Sequence, residues 1–569
     1  MNSHLPLLVA TALLAAPLSI YAEQKPAESA APAVIQAEEV TGLTADILYQ
    51  YLSGEIAAQR GQVGLAAEAF LDLAKRTGDA RLAQRATEAA LQGRNQQLAI
   101  KAAGAWLEID PDSLSARQTL VALYLTGGRL EDSVPHIKQL LAKQDVSAPR
   151  TFMQLFGLTA RYPNKDVLLK VVRELAADYQ QVPEARYATA QAARAADQPA
   201  LALSEARAAL DMRRDWDQAA MLYGELLSQS APKDATKFYR EFLAKNVDSR
   251  NVRLNLARHL AAQQDLSGSR KEFETLLAAA PDNAEAAFAV GLISLEMKDF
   301  TVAETSFKKA LALEYPDADA VNIYLGQMYE EQKRYQEASA AYLQVGEGEQ
   351  YVSSRIRAAG VLAKRGDLAA ARTFLHNIPV KEDAQHVQLI LADAQLLREA
   401  KQHQQAYDLL SEALAKEPDS PELLYDHAMA AEKLARIDVL EADLRKLIKL
   451  KPDAAHAYNA LGYTLADRTD RLTEARDLIE TARKLAPQDP FILDSLGWVN
   501  YRLGNLDQGL SLLKEALASR PDPEIAAHLA EVLWAKGQRK EAKNVWTDAL
   551  RKNPDNEALL AVAKKLQSE

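Results

Sequence analysis

The sequence predicts an all-α fold, a solenoid of antiparallel helix pairs, on three observations. Prolines recur at an interval near 34 residues, and a fixed order of small and bulky residues recurs inside each interval. The composition agrees: of 569 residues, 48% are hydrophobic, only 6% are aromatic and none is cysteine. That apolar fraction is ample for a packed core, and 25% charged residues argue against a wholly disordered chain. The formal charge of −11 excludes a mainly nucleic-acid-binding surface, because phosphates need a basic footprint. Without cysteine the chain can carry no disulfide, thiolate nucleophile, Cys-ligated metal or thioether-linked lipid.

Residues 5–22, LPLLVATALLAAPLSIYA, hold no charged side chain and give way to polar sequence at Glu23. A short apolar run ending in Ala reads as a secretory signal occupying 1–22, although the preceding MNSH lacks the usual Lys or Arg. Residues 23–44 are rich in Ala, Pro and Glu without a sustained period, and read as a flexible tether. Repeats are expected over 45–146, an irregular helical segment over 147–182, and the main array over 183–569.

The prolines give the ruler. Pro281 and Pro316 stand 35 apart, and Pro418, Pro452, Pro487, Pro521 and Pro554 follow at steps of 34, 35, 34 and 33. Most are followed by Asp, as expected where one helix stops and another starts. Inside the period a small residue lies about 24 before the proline and an Ala about 12 before it, followed by a bulky plug. Gly291, Ala303, Phe307 and Ala310 show the order, as do Gly326, Ala338 and Tyr342, and Ala530, Ala542 and Trp546. Two helices approach closely only where one presents Gly or Ala and the other fills the groove.

With these residues in hand, the chain resembles the tetratricopeptide repeat family. Residues 496–522, LGWVNYRLGNLDQGLSLLKEALASRPD, are close to a consensus unit and depart from it at Gly509, where the family usually places Ala. Weaker units begin around Gly54, Thr87 and Ala257. The resemblance spans 45–569, about 13 or 14 helix pairs at the family's repeat length. It implies a right-handed superhelix whose first helices line a concave face.

Counting each unit so that its small residue is the eighth, the inward positions are the second, fifth, ninth and twelfth. They place Tyr425, Asn459, Tyr463, Phe491, Asp494, Trp498, Tyr501 and Trp534 on the concave face as protein-binding candidates, with Glu422, Glu432, Glu524 and Glu531 beside them. Tyr and Trp among Asn, Asp and Glu suit a binding hot spot, while aromatics at helical spacing suit inter-repeat core equally. Trp546 and Phe307, on second helices, are expected in the core.

Catalysis is not expected. Ser306-Phe-Lys-Lys309 and Ser511-Leu-Leu-Lys514 match Ser-x-x-Lys, but both fall within second helices and lack the accompanying motifs. His376, His386 and His403 have spacings that suit no single helix face, so no metal site is expected. Nor is a cofactor, since no Gly-rich phosphate loop is present.

An export signal, an Ala/Pro tether and a long array also resemble the periplasmic tetratricopeptide lipoproteins that partner a carboxyl-terminal processing protease; DSLGWVNYRLG and HLAEVLWAKG look similar. That resemblance implies a non-catalytic periplasmic adaptor, associated with the outer membrane, that binds and activates the protease and presents substrates such as cell-wall hydrolases. One departure stands out: those proteins are tied to the membrane through a lipidated cysteine, which this sequence lacks. The rival expectation is a scaffold docking to an exopolysaccharide-export or outer-membrane assembly complex.

Overall fold

The computed structural model describes residues 44–143, 146–159 and 162–568. The expected signal, and the tether up to residue 43, lie outside the described residues. Among the described residues there are 31 α-helices, one short 3-10 turn at Ala177–Tyr179 and no strand.

In chain order the helices form fifteen pairs and a closing helix, against the 13 or 14 pairs expected. The stretch 147–182, where no motif is legible, supplies a full pair, Ala148–Thr159 and Lys165–Ala176. The chain divides into two compact units, one ending at Met297 and the other beginning at Lys298.

In the first unit, pairs run from Ala45–Gln59/Val63–Thr77 to Arg250–Ala262/Leu266–Ala279, followed by Ala284–Glu296. Pro183–Ala195 is its most enclosed helix, packed against both Ala148–Thr159 and Lys165–Ala176. The second unit begins with Phe300–Ala312 and continues as seven pairs to Pro523–Ala535/Arg539–Lys552, closing with Glu557–Ser568.

The local chemistry accounts for each start and stop. Asn283 and Ser420, one residue beyond the Pro-Asp steps, accept from the backbone N–H groups of Ala286 and Leu423 as N-caps. Asp489 and Asp522 cap directly and are followed by Pro490 and Pro523 in the first turn, where a missing N–H costs nothing. The turn inside most pairs places one residue in the left-handed region, such as Gly504 (φ 86°) or Gly537 (φ 81°). Lys333, Lys401 and Ala435 hold the same place at φ 59°, 59° and 56°.

Packing follows the notch-and-plug pattern. A Cβ added to Gly224 would lie 2.2 Å from Tyr239 Cζ, and one on Gly326 would lie 2.4 Å from Tyr342 Cε1. Tyr239, Tyr342, Phe70 and Phe307 are among the largest fully buried side chains. Trp546 is buried as well.

Within the second unit the stack also returns upon itself. Lys401 Nζ and Glu557 Oε1, 156 residues apart, pair at 2.9 Å, which brings the start of the final helix beside the Asp383–Glu399/His403–Lys416 pair.

Candidate functional site

The expected binding residues all lie in the second unit, on four successive first helices: Pro421–Lys433, Ala455–Arg468, Pro490–Arg502 and Pro523–Ala535. Ala455–Arg468 touches Pro490–Arg502, which in turn touches Pro523–Ala535. Their inward side chains therefore converge, though not to equal exposure. Phe491 is 42% exposed, whereas Asp494 and Trp498 are each only 7% exposed. Tyr425, Asn459, Tyr463, Tyr501 and Trp534 are half-buried.

The centre of this face is built around His528, which the inward-position rule does not select. Its Nδ1 lies 3.0 Å from both carboxylate oxygens of Asp494, and its Nε2 lies 3.2 Å from the Tyr463 hydroxyl. The Trp498 indole stacks on the imidazole at 4.4 Å between centroids, and Tyr501 packs on Trp498 at 5.2 Å. Three repeats are thus joined through one histidine. The sequence signal was a His 34 residues after an Asp, close to one repeat on, but at the sixth position of its unit where Asp494 holds the fifth.

Electrostatics on this face are dominated by carboxylates. Burial opposes a charge on His528, but Asp494 beside it, with Glu531 and Glu524, outweighs burial and raises its pKa above the ordinary 6.5. Burial first, then Asp467, Asp494, Glu524 and Glu432, push the Tyr463 phenol well above its usual range. Two polar atoms here have no hydrogen-bond partner among the described residues: Trp498 Nε1 and Asn459 Oδ1.

At the rim, arginines cover two of the expected aromatics. Arg520 lies 4.9 Å from the Phe491 ring centroid and Arg539 lies 4.9 Å from that of Trp534. Tyr425 meets His456 edge-on at 4.8 Å.

A second hydrogen-bond chain escaped the sequence reading. Ser411 Oγ lies 2.8 Å from His427 Nε2, and His427 Nδ1 lies 2.6 Å from Asp443 Oδ2. The order is that of a hydrolytic triad, but the setting is not. Ser411 lies inside the helix His403–Lys416 with its hydroxyl 2.8 Å from the Tyr407 carbonyl, and the surrounding helical N–H groups are committed to the backbone ladder. Its evident work is to brace three successive helices.

The Ser-x-x-Lys serines are similarly placed in helices: Ser306 is buried, and Ser511 is exposed beside Lys514, which pairs with Glu541 at 2.8 Å. His376 Nε2 lies 2.8 Å from Asp393, whose buried carboxylate also accepts from Arg372 at 2.6 Å; the His376 ring itself is exposed. Among the described residues no cluster of three or more His, Asp or Glu is arranged to hold a metal ion.

The tetratricopeptide repeat family models match residues 254–312, 291–352 and 425–490, and also 501–566. A TPR repeat-containing protein of Pseudomonas aeruginosa, PA4667, is 32% identical over 543 residues, covering 93% of this chain and 90% of its own length. Bacteriophage adsorption protein A of Escherichia coli is 37% identical over 65 residues, 11% of this chain and 6% of that protein. Among solved structures, yeast Tom70 aligns over 92% of this chain and 99% of its own, with 16% identity and a TM-score of 0.33. A tetratricopeptide protein of Thermus thermophilus aligns over 32% of this chain and 97% of its own, with 26% identity and a TM-score of 0.29.

Proposed function

The chain belongs to the tetratricopeptide repeat family, and from that premise we propose that it is a non-catalytic periplasmic adaptor that binds a carboxyl-terminal processing protease and presents protein substrates, such as cell-wall hydrolases, to it. The observation that carries the adaptor role is the second unit's run of first helices with Tyr425, Tyr501, Phe491 and Trp534 at or near its surface. Such a face supplies aromatic anchors within a polar rim, as protein-recognition surfaces do. The export-like run of residues 5–22 supports the compartment. Tethering a protease and its substrate to one array raises their effective concentration without new chemistry.

The test is crosslinking of the full chain in envelope extracts, followed by mass spectrometry. Recovery of a protease together with cell-wall hydrolases is the expected result. Recovery of export-channel or synthase subunits in their place would transfer the adaptor to a secretion complex. Tyr501→Ala with Trp534→Ala is expected to reduce capture while helicity and melting persist.

A further inference from the structure

We propose that the inner face between Pro421–Lys433 and Pro523–Ala535 receives an extended polypeptide segment bearing Lys or Arg, gripped by unpaired carboxylates and by two open amide-recognition atoms. The inference rests on the adaptor reading and gives the partner its chemistry.

Charge makes the first case. Asp494 is matched by His528, and Glu531 by Lys565 at 2.7 Å. Glu432 and Glu524 have no ion pair among the described residues, and Asp467 has only its chain neighbour Arg468, at 3.0 Å. Negative charge is therefore left over on three of the four repeats of this face, distributed along it rather than gathered at one point. The same carboxylates act together on the Tyr463 phenol, which places their field within the face.

The second case is independent of charge. Trp498 is 93% buried by the complement of its 7% exposure, yet its indole N–H has no acceptor. Asn459 Oδ1, on the neighbouring first helix, is shielded from water and has no donor. A buried unmade hydrogen bond costs about 1–3 kcal/mol, so such atoms are rarely left idle. One lacks an acceptor and the other a donor, the two groups that a peptide backbone offers. A small polyamine would satisfy the carboxylates but offers no carbonyl to the indole. Both atoms are shielded in the free chain, so the peptide must displace side chains to reach them, a movement of the kind common at interfaces.

The test uses the full chain and a fluorescein-labelled 12-residue peptide in which Lys alternates with Gly and Ser, read by anisotropy, with the Glu-substituted peptide and spermine as comparisons. The Lys peptide is expected to bind, to weaken as salt rises from about 50 to about 300 mM, and to outcompete both comparisons. Glu432→Gln with Glu524→Gln should weaken it about tenfold, the scale of two modest charge contacts. Trp498→Phe keeps an aromatic ring on His528 but removes the donor, and should weaken binding severalfold with circular dichroism and melting retained. The proposal is overturned if the Lys peptide fails to bind, if the Glu peptide or spermine binds as well, or if the double variant is unaffected. Should the chain still capture the protease in envelope extracts after such a failure, the adaptor reading stands and only this one falls.

Discussion

Gly497 and Gly509 meet backbone to backbone: a Cβ on Gly509 would lie 2.9 Å from the Gly497 carbonyl oxygen. The backbones of the helices Pro490–Arg502 and Leu506–Ser519 come together there, with the Leu513 side chain filling the space over Gly497. This explains why Gly occupies a place that the repeat usually gives to Ala. Gly509→Ala is therefore expected to destabilise the protein by about 1–2 kcal/mol, although Ala is the better helix former by about 1 kcal/mol. Urea denaturation followed by circular dichroism checks it; a stabilised variant would mean that the two helices have room to part.

His528 makes stability depend on pH. A pKa raised in the folded state means that the charged His528–Asp494 pair contributes fully below the ordinary value of 6.5 and fades as pH rises through the folded value. The melting temperature should be higher near about pH 6 than near about pH 8.5. Asp494→Asn should flatten this difference, and an unchanged slope in that variant would remove His528 as its source.

The fold was legible where packing forces a residue type at a fixed interval. Gly326 with Tyr342 and Ala530 with Trp546 announce their pairs because each notch must be small and each plug large. Between 147 and 182 the same architecture was hidden, because Leu168, Leu175 and Phe152 fill the core with ordinary bulky residues and no glycine marks the contact. The inner face was legible only as a set of positions. Periodicity placed Trp498 and Asp494 there, but their burial depends on His528, and Ser411, His427 and Asp443 meet only through three-dimensional stacking.

A surface network joins consecutive second helices. Glu441 accepts from Arg471 at 2.7 and 2.9 Å and from Arg445 at 2.8 and 2.6 Å, while both arginines also reach Glu474. Arg471 foremost, against the opposing effect of burial, and then Arg445 hold the Glu441 carboxyl down at about 2. Its contribution is thus present above the ordinary 4.5 and is lost as pH falls towards 2. Glu441→Gln should cost on the order of 1 kcal/mol at neutral pH, and less as the pH of the melt is lowered.

The left-handed turn position gives a paired prediction. Gly504, at φ 86°, is strained by any side chain, so Gly504→Ala should cost about 1 kcal/mol. Ala435, at φ 56°, already bears that strain, and Ala435→Gly should be neutral or stabilising by up to about 1 kcal/mol. Equal losses in both variants would show that the turns are not governed by backbone conformation.

The bond between Lys401 and Glu557 gives the second unit a property that a straight row of modules lacks. A strictly linear row would communicate only link by link, so trimming its last module would matter only to the one before. Here the tail rests on a coil laid down much earlier, like the end of a spring touching its own middle. Deleting the closing helix should therefore loosen amide protection around His403–Lys416 as well as at the end of the chain.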